Sequence, residues 1–214
     1  MAYRIMIVDD HPLYRMGLRQ ILEKQDNFLV TNECEDPQTA WEMFQKTSID
    51  LLICDLSFQE GSGLSLIRRI RNQGSNCPIL ILSMHEESFW AERILQEGGN
   101  GYLMKDKDSQ LVIKAAETIL GGDIYLTTSI QQKIFRKISG HSTEDNSLSK
   151  LSSRENEIFQ CMAQEMSTKE IAKELFISLK TVQTHQANIK RKLRLSNLNE
   201  LRSLAIKFSE TKKQ

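Results

Sequence analysis

The chain has no apolar run approaching the roughly 20 residues that a membrane-spanning helix needs, so no bilayer crossing is expected. It opens as Met1-Ala2-Tyr3-Arg4 straight into a strand pattern, and no signal peptide is expected. Its 4 cysteines, Cys34, Cys54, Cys77 and Cys161, never fall in a Cys-x-x-Cys spacing. That excludes a zinc or disulfide framework and points to reduced, buried thiols of a cytoplasmic protein. Internal repeats are absent. The one polar stretch without periodicity, at 140–147, carries the turn formers of a linker. Net charge is also absent, with 28 Lys+Arg against 28 Asp+Glu, but the balance hides an asymmetry. Residues 1–125 hold 12 Lys+Arg against 19 Asp+Glu, a net −7, which leaves 16 against 9, or +7, for residues 126–214. An acidic half suits a divalent cation and a basic half suits a polyanion.

What is present in the acidic half is a set of short apolar runs that end in chemistry. Ile5-Met6-Ile7-Val8 stops at Asp9-Asp10, Leu51-Leu52-Ile53-Cys54 at Asp55, Ile79-Leu80-Ile81-Leu82 at Ser83, and Gly101-Tyr102-Leu103-Met104 at Lys105. Runs of this length between helical patterns read as buried parallel strands. The pattern predicts strands at 4–8, 28–34, 50–55, 78–83 and 101–104. Helices are expected at 12–24, 37–47, 64–73, 87–97 and 108–120. Five βα units call for a doubly wound five-stranded parallel sheet in the order 2-1-3-4-5, with its crevice at the carboxyl ends of the first and third strands. Three carboxylates, a hydroxyl and an ammonium then share one pocket. Asp10, Asp55 and the backbone carbonyl of Ser57 can ligate Mg²⁺, with Asp9 holding a coordinating water. Asp55 can attack a phosphoryl group, and Lys105 and Ser83 can hold its oxygens. A helical pattern around Ile130, Ile134, Phe135 and Ile138 extends this region, so a first domain spans 1–125 and a linker with a short helix spans 126–148.

The basic half, 149–214, reads as an all-α domain of four helices near 152–164, 168–175, 179–193 and 198–209. Ser152 or Ser153 with Glu155, and Ser167 with Glu170, have the form of capping boxes. Ser178 is placed to cap the third helix, and Ser196 or Asn197 the fourth. The second and third helices have the proportions of a helix-turn-helix. On the third helix Val182, Ile189 and Leu193 face inward, with His185 nearby as a packing residue. Lys180, Gln183, Ala187, Lys190 and Arg194 fall on the opposite arc, with Thr184 at its edge, a face suited to the DNA major groove. Gln183, Thr184 and Ala187 are expected to favour A·T-containing half-sites. The last helix carries a stripe of Leu198, Leu201, Ala205 and Phe208, by default core and otherwise a dimer interface.

The segments Ile7-Val8-Asp9-Asp10-His11, Leu52-Ile53-Cys54-Asp55-Leu56, Ile81-Leu82-Ser83 and Gly101-Tyr102-Leu103-Met104-Lys105-Asp106 resemble the receiver domain of bacterial two-component response regulators. The segments from Leu151, Thr168, Ile177 and Asn188 resemble the LuxR-type output domain, and together they resemble the NarL/FixJ class. The resemblance implies a flavodoxin-like receiver, a sensor histidine kinase that phosphorylates Asp55 with Mg²⁺, and a switch formed by Ser83 and Tyr102. Met84 and His85 follow the switch serine, where the family tunes dephosphorylation. It further implies double-stranded DNA as partner, with Lys169, Lys180, Thr181, Gln183, Thr184, Ala187, Lys190 and Arg194 as contacts. Homodimers form through Leu198, Leu201, Ala205 and Phe208. The chain is then a regulator and not an enzyme, beyond its own phosphorylation and autodephosphorylation.

Two departures stand out. After Asp55 the family usually carries Met-Pro, whereas this chain reads Leu56-Ser57-Phe58-Gln59-Glu60. The missing proline frees φ at Gln59 and predicts a more flexible loop, with slower phosphorylation or weaker Mg²⁺ binding. Glu165 and Leu198 replace a frequent glycine and arginine, for which altered local packing is expected. Two rival functions remain open: a phosphatase using Asp55, and an orphan DNA-binding regulator that is never phosphorylated.

Overall fold

A computed structural model describes residues 2–138, 151–175 and 177–210; the expected linker stretch at 140–147 lies outside the described residues. The chain divides into two compact units, Met1–Ser142 and Thr143–Gln214.

In the first unit strands and helices alternate: β1 (Tyr3–Val8), α1 (Pro12–Leu22), β2 (Phe28–Cys34), α2 (Pro37–Phe44), β3 (Leu51–Asp55), α3 (Gly63–Asn72), β4 (Ile79–Ser83), α4 (Glu87–Gln96), β5 (Gly101–Met104) and α5 (Ser109–Leu120). The five strands form one sheet in the order β2-β1-β3-β4-β5, every pairing parallel. Strand residues alternate between two cores, which explains why the runs are apolar without interruption. Met6, Val8, Leu52 and Cys54 face the cluster under α2, α3 and α4. Ile5, Ile7, Leu51 and Ile53 face the one under α1 and α5. At the start of α3 a Cβ on Gly63 would lie 2.1 Å from the Asp55 carbonyl oxygen, so only glycine lets this helix approach the end of β3.

A further helix, α6 (Thr128–Ile138), belongs to this unit and not to a free linker. Leu126 and Ile130 are buried in the α2–α4 cluster, and Ile134 packs against it. Glu87, a buried residue that opens α4, accepts a 2.8 Å hydrogen bond from the Thr127 N–H at the entrance to α6.

The second unit comprises α7 (Ser153–Ala163), α8 (Thr168–Glu174), α9 (Leu179–Lys192) and α10 (Leu198–Glu210). Ser152 caps α7 and Ser167 caps α8, both as capping boxes with Glu155 and Glu170. Ser178 caps α9, and the Asn197 side chain accepts from the Glu200 N–H in the first turn of α10. Ile158, Phe159, Ile171, Val182, Ile189 and Leu201 fill the core. Among the described residues no helix is long and apolar enough to cross a membrane. All 4 cysteines are free thiols, with Cys77 half-buried and the others buried.

Candidate functional sites

β1 and β3 lie side by side, so their carboxyl ends bring Asp9, Asp10 and Asp55 together. One ligand atom from each of Asp9, Asp10, His11 and Asp55 falls within 4.8 Å of the others. Asp9 and Asp55 are buried at 2% and 5% exposure. Lys105, from the end of β5, reaches over both: its Nζ lies 2.5 Å from Asp55 Oδ2 and 2.7 Å from Asp9 Oδ2. The Tyr14 ring of α1 lies beneath the same ammonium, 4.6 Å away. The other Asp55 oxygen accepts from the Leu56 N–H at 2.6 Å and the Ser57 N–H at 3.4 Å.

Electrostatics follow from this crowding. Burial pushes Asp55 up to about 6, against the pull of the Lys105 charge and with a further push from Asp9. Burial lowers Lys105, but the charges of Asp55 and Asp9 and the bonds to them outweigh it and hold the ammonium above its ordinary value. Burial raises Tyr14, and both carboxylates add to the rise. Asp10 Oδ1 is buried without a hydrogen-bond partner; His11 Nδ1 lies 2.9 Å away but out of bonding geometry. A buried carboxylate oxygen without a hydrogen bond, beside two more carboxylates, is what a small, hard cation would satisfy.

Ser83 is 1% exposed and Tyr102 is fully buried. The Ser83 hydroxyl accepts from the His85 N–H at 3.2 Å, and the Tyr102 hydroxyl donates to the His85 carbonyl at 2.8 Å. The structure thus gathers Asp9, Asp10, Asp55, Ser83, Tyr102 and Lys105 at one end of the sheet. Sequence reading missed His11 and Tyr14. For both, position was the available signal: His11 follows the carboxylate pair directly, and Tyr14 lies in the first turn of α1.

In the second unit Lys169, Lys180, Gln183, Thr184, Ala187 and Arg194 are exposed, while Thr181 and Lys190 are half-buried. The Thr184 hydroxyl donates to the Lys180 carbonyl, and the Thr181 hydroxyl is paired with that of Ser178. Lys190 Nζ donates to the Ser196 carbonyl at 3.4 Å. Arg191 is exposed one turn beyond Ala187, so it shares the outward face and was overlooked.

One expectation needs correcting. Arg194 does not ride on the helix face, because α9 ends at Lys192 and Arg194 sits in the left-handed turn beyond it, at φ 56°. The inner side of α9 includes Gln186, buried at 4%, with its amide 3.7 Å from Met162 Sδ. On α10, Leu201 and Ala205 are fully buried in the unit's own core, and Phe208 packs edge-on against Phe159, so these three hold the unit together from within. Leu198, at 38% exposure, is the member of that stripe open to a partner. His185 is half-buried, and its Nδ1 has no hydrogen-bond partner.

Two family models match the chain: response regulator receiver domain over residues 5–117, and bacterial regulatory proteins of the luxR family over 149–205. The nitrate/nitrite response regulator NarP of Escherichia coli is 33% identical over 190-odd residues, an alignment covering 89% of this chain and 88% of NarP. The oxygen regulatory protein NreC of Staphylococcus carnosus is 33% identical, covering 95% of this chain and 97% of NreC. Among solved structures, the response regulator RcsB in complex with DNA matches with a TM-score of 0.58 and 25% identity, over 95% of this chain and 98% of RcsB. Receiver and helix-turn-helix are thus matched in one chain, in the same order as in these relatives. The chain belongs to the NarL/FixJ class of two-component response regulators, a receiver joined to a LuxR-type DNA-binding domain.

Proposed function

We propose that this chain is a phosphorylation-gated transcription regulator of the cytoplasm, whose receiver takes a phosphoryl group from a sensor histidine kinase onto Asp55. The observation that carries this reading is the grip of Lys105 on Asp55 and Asp9 within one buried acidic crevice. Asp10, Asp55 and the Ser57 carbonyl would hold Mg²⁺, with Asp9 holding a coordinating water; an Asp10 Oδ1 that makes no hydrogen bond suits a metal ligand. Bound there, the cation would offset the charge gathering on the phosphoryl oxygens.

A carboxylate oxygen of Asp55 attacks phosphorus, a P–O bond forms, and the P–N bond to the donor imidazole breaks, its electron pair staying with the ring. Lys105 then exchanges Asp55 Oδ2 for a phosphoryl oxygen, and the Ser83 hydroxyl turns to another. Ser83 already bonds His85, which also accepts from Tyr102, so its movement is passed to the tyrosine. The result is a shift in population between two receiver conformations.

On DNA, α9 enters the major groove. Gln183, Thr184 and Ala187 meet base edges, while Lys169, Lys180, Thr181, Lys190 and Arg194 meet the backbone. The RcsB complex, which has DNA bound, supports this role for the second unit. Homodimers form when the protein is phosphorylated or bound to DNA, with α10 presenting Leu198.

The test is intact mass and DNA affinity with and without acetyl phosphate and Mg²⁺, on the wild type and on Asp55→Ala. A stable gain of one phosphoryl group, absent in the variant and accompanied by tighter DNA binding, is expected. Equal DNA binding without any phosphate would favour the orphan regulator. Continuous phosphate release beyond one equivalent would favour a phosphatase.

A further inference from the structure

The loop after Asp55 lacks the proline that the family usually places there, yet one side chain fastens it. Ser57 Oγ lies 3.0 Å from His85 Nε2, a bond joining the β3–α3 loop to the β4–α4 loop across the mouth of the crevice. Ser57 also closes the loop on itself by an antiparallel bridge to Ser62, and the Gly63 N–H donates to the Leu56 carbonyl at 2.9 Å. Between these points Gln59 and Glu60 are exposed. His85 is itself held on three sides. Its N–H meets Ser83, its carbonyl meets Tyr102, and its ring lies 6.0 Å from that of the fully buried Trp90.

We infer that the Ser57–His85 hydrogen bond is the clamp that orders the 56–62 loop beside Asp55, doing here what proline does elsewhere in the family. The inference deepens the proposed function: it makes His85 a positioning residue for the Ser57 carbonyl assigned to Mg²⁺. A proline restricts a loop through its fixed φ whatever lies around it. A hydrogen bond restricts it only while both partners stay in place. Because His85 is anchored to Ser83 and Tyr102, the order of this loop depends on the switch residues, which a proline would not allow.

Amide hydrogen exchange over 56–62, in the full-length protein without metal or phosphodonor, tests the clamp directly. Ser57→Ala and His85→Ala should each speed exchange roughly fivefold, the effect of losing a single hydrogen bond. Ser57→Ala leaves the His85–Trp90 contact in place, so it separates the clamp from general packing. The double variant should exchange no faster than either single one, because both remove the same bond. Adding Gln59→Pro to His85→Ala should restore slow exchange. A Mg²⁺ titration of the same set should rank the affinities in the same order. Unchanged exchange in both single variants, or losses that add in the double one, would overturn the clamp. If wild-type protein binds no Mg²⁺ while exchange behaves as expected, the clamp stands and the metal assignment falls.

Discussion

Glu165 stands at φ 62°, in the left-handed region that costs an L-residue about 1 kcal/mol. It occupies this position because α7 ends in a Schellman turn: the Met166 N–H reaches the Cys161 carbonyl and the Glu165 N–H reaches that of Met162. α9 ends in the same way through Leu195 and Arg194, whereas α3 ends with Gly74 in the strained position. Glu165→Gly should therefore stabilise the second unit by about 0.5–1 kcal/mol, measurable as a raised denaturation midpoint. At His185, burial lowers the imidazole below its ordinary value, with Glu155, Arg154, Glu157 and Lys192 around it as smaller influences. The folded unit then favours the neutral ring, and the unfolded chain takes the proton first. Stability is complete above the unfolded value near 6.5 and declines as pH falls below it. Denaturant unfolding of the second unit at about pH 7.5 and 5.5 should show this loss, blunted in His185→Asn; equal midpoints in the wild type would contradict it.

At the scale of elements, α9 separates two kinds of contact that one experiment can distinguish. Gln183→Ala should cost about 1–3 kcal/mol on a preferred site and relax the choice of one base pair. Lys169→Ala, on α8, should weaken binding evenly across sequences and flatten its salt dependence. Affinity for matched and mutated sites over a range of salt checks both. Much of this architecture could be read in advance, for identifiable reasons. β2 was expected at 28–34 and runs Phe28–Cys34, and the strand ends carry their chemistry because each apolar run stops at a polar side chain. Helix ends were less legible. α1 stops at Leu22 and α2 at Phe44, while the reading ran on to 24 and 47, since Glu23, Lys24 and Gln45 are good helix formers and no glycine or proline marks the end. The burial of Gln186 was not legible because a polar side chain gives no sign of it in an apolar pattern. The Ser57–His85 bond joins residues 28 apart in the chain, which no local periodicity can reveal.

At the scale of the whole molecule, the sequence break after 125 does not coincide with the edge of the first unit. Tyr125 is joined to the sheet edge, its carbonyl accepting from the Tyr102 N–H at 3.1 Å and its own N–H reaching the Asn100 carbonyl at 3.0 Å. The chain then continues through buried Leu126 and Ile130 in α6. A fragment ending at 125 should unfold at a temperature several degrees below one ending at 138, since each buried aliphatic side chain contributes about 1.5–3 kcal/mol. Equal melting temperatures for the two fragments would show that α6 adds nothing. The Glu87–Thr127 bond gives this seam a meaning for inheritance. A gene fusion that transplants this receiver onto a foreign output domain can be cut without harm only beyond α6. A cut made where the sheet ends would strip Glu87 of the amide it holds and expose part of the α2–α4 core, so a fusion joined there is expected to yield a less stable receiver than one joined after Ile138.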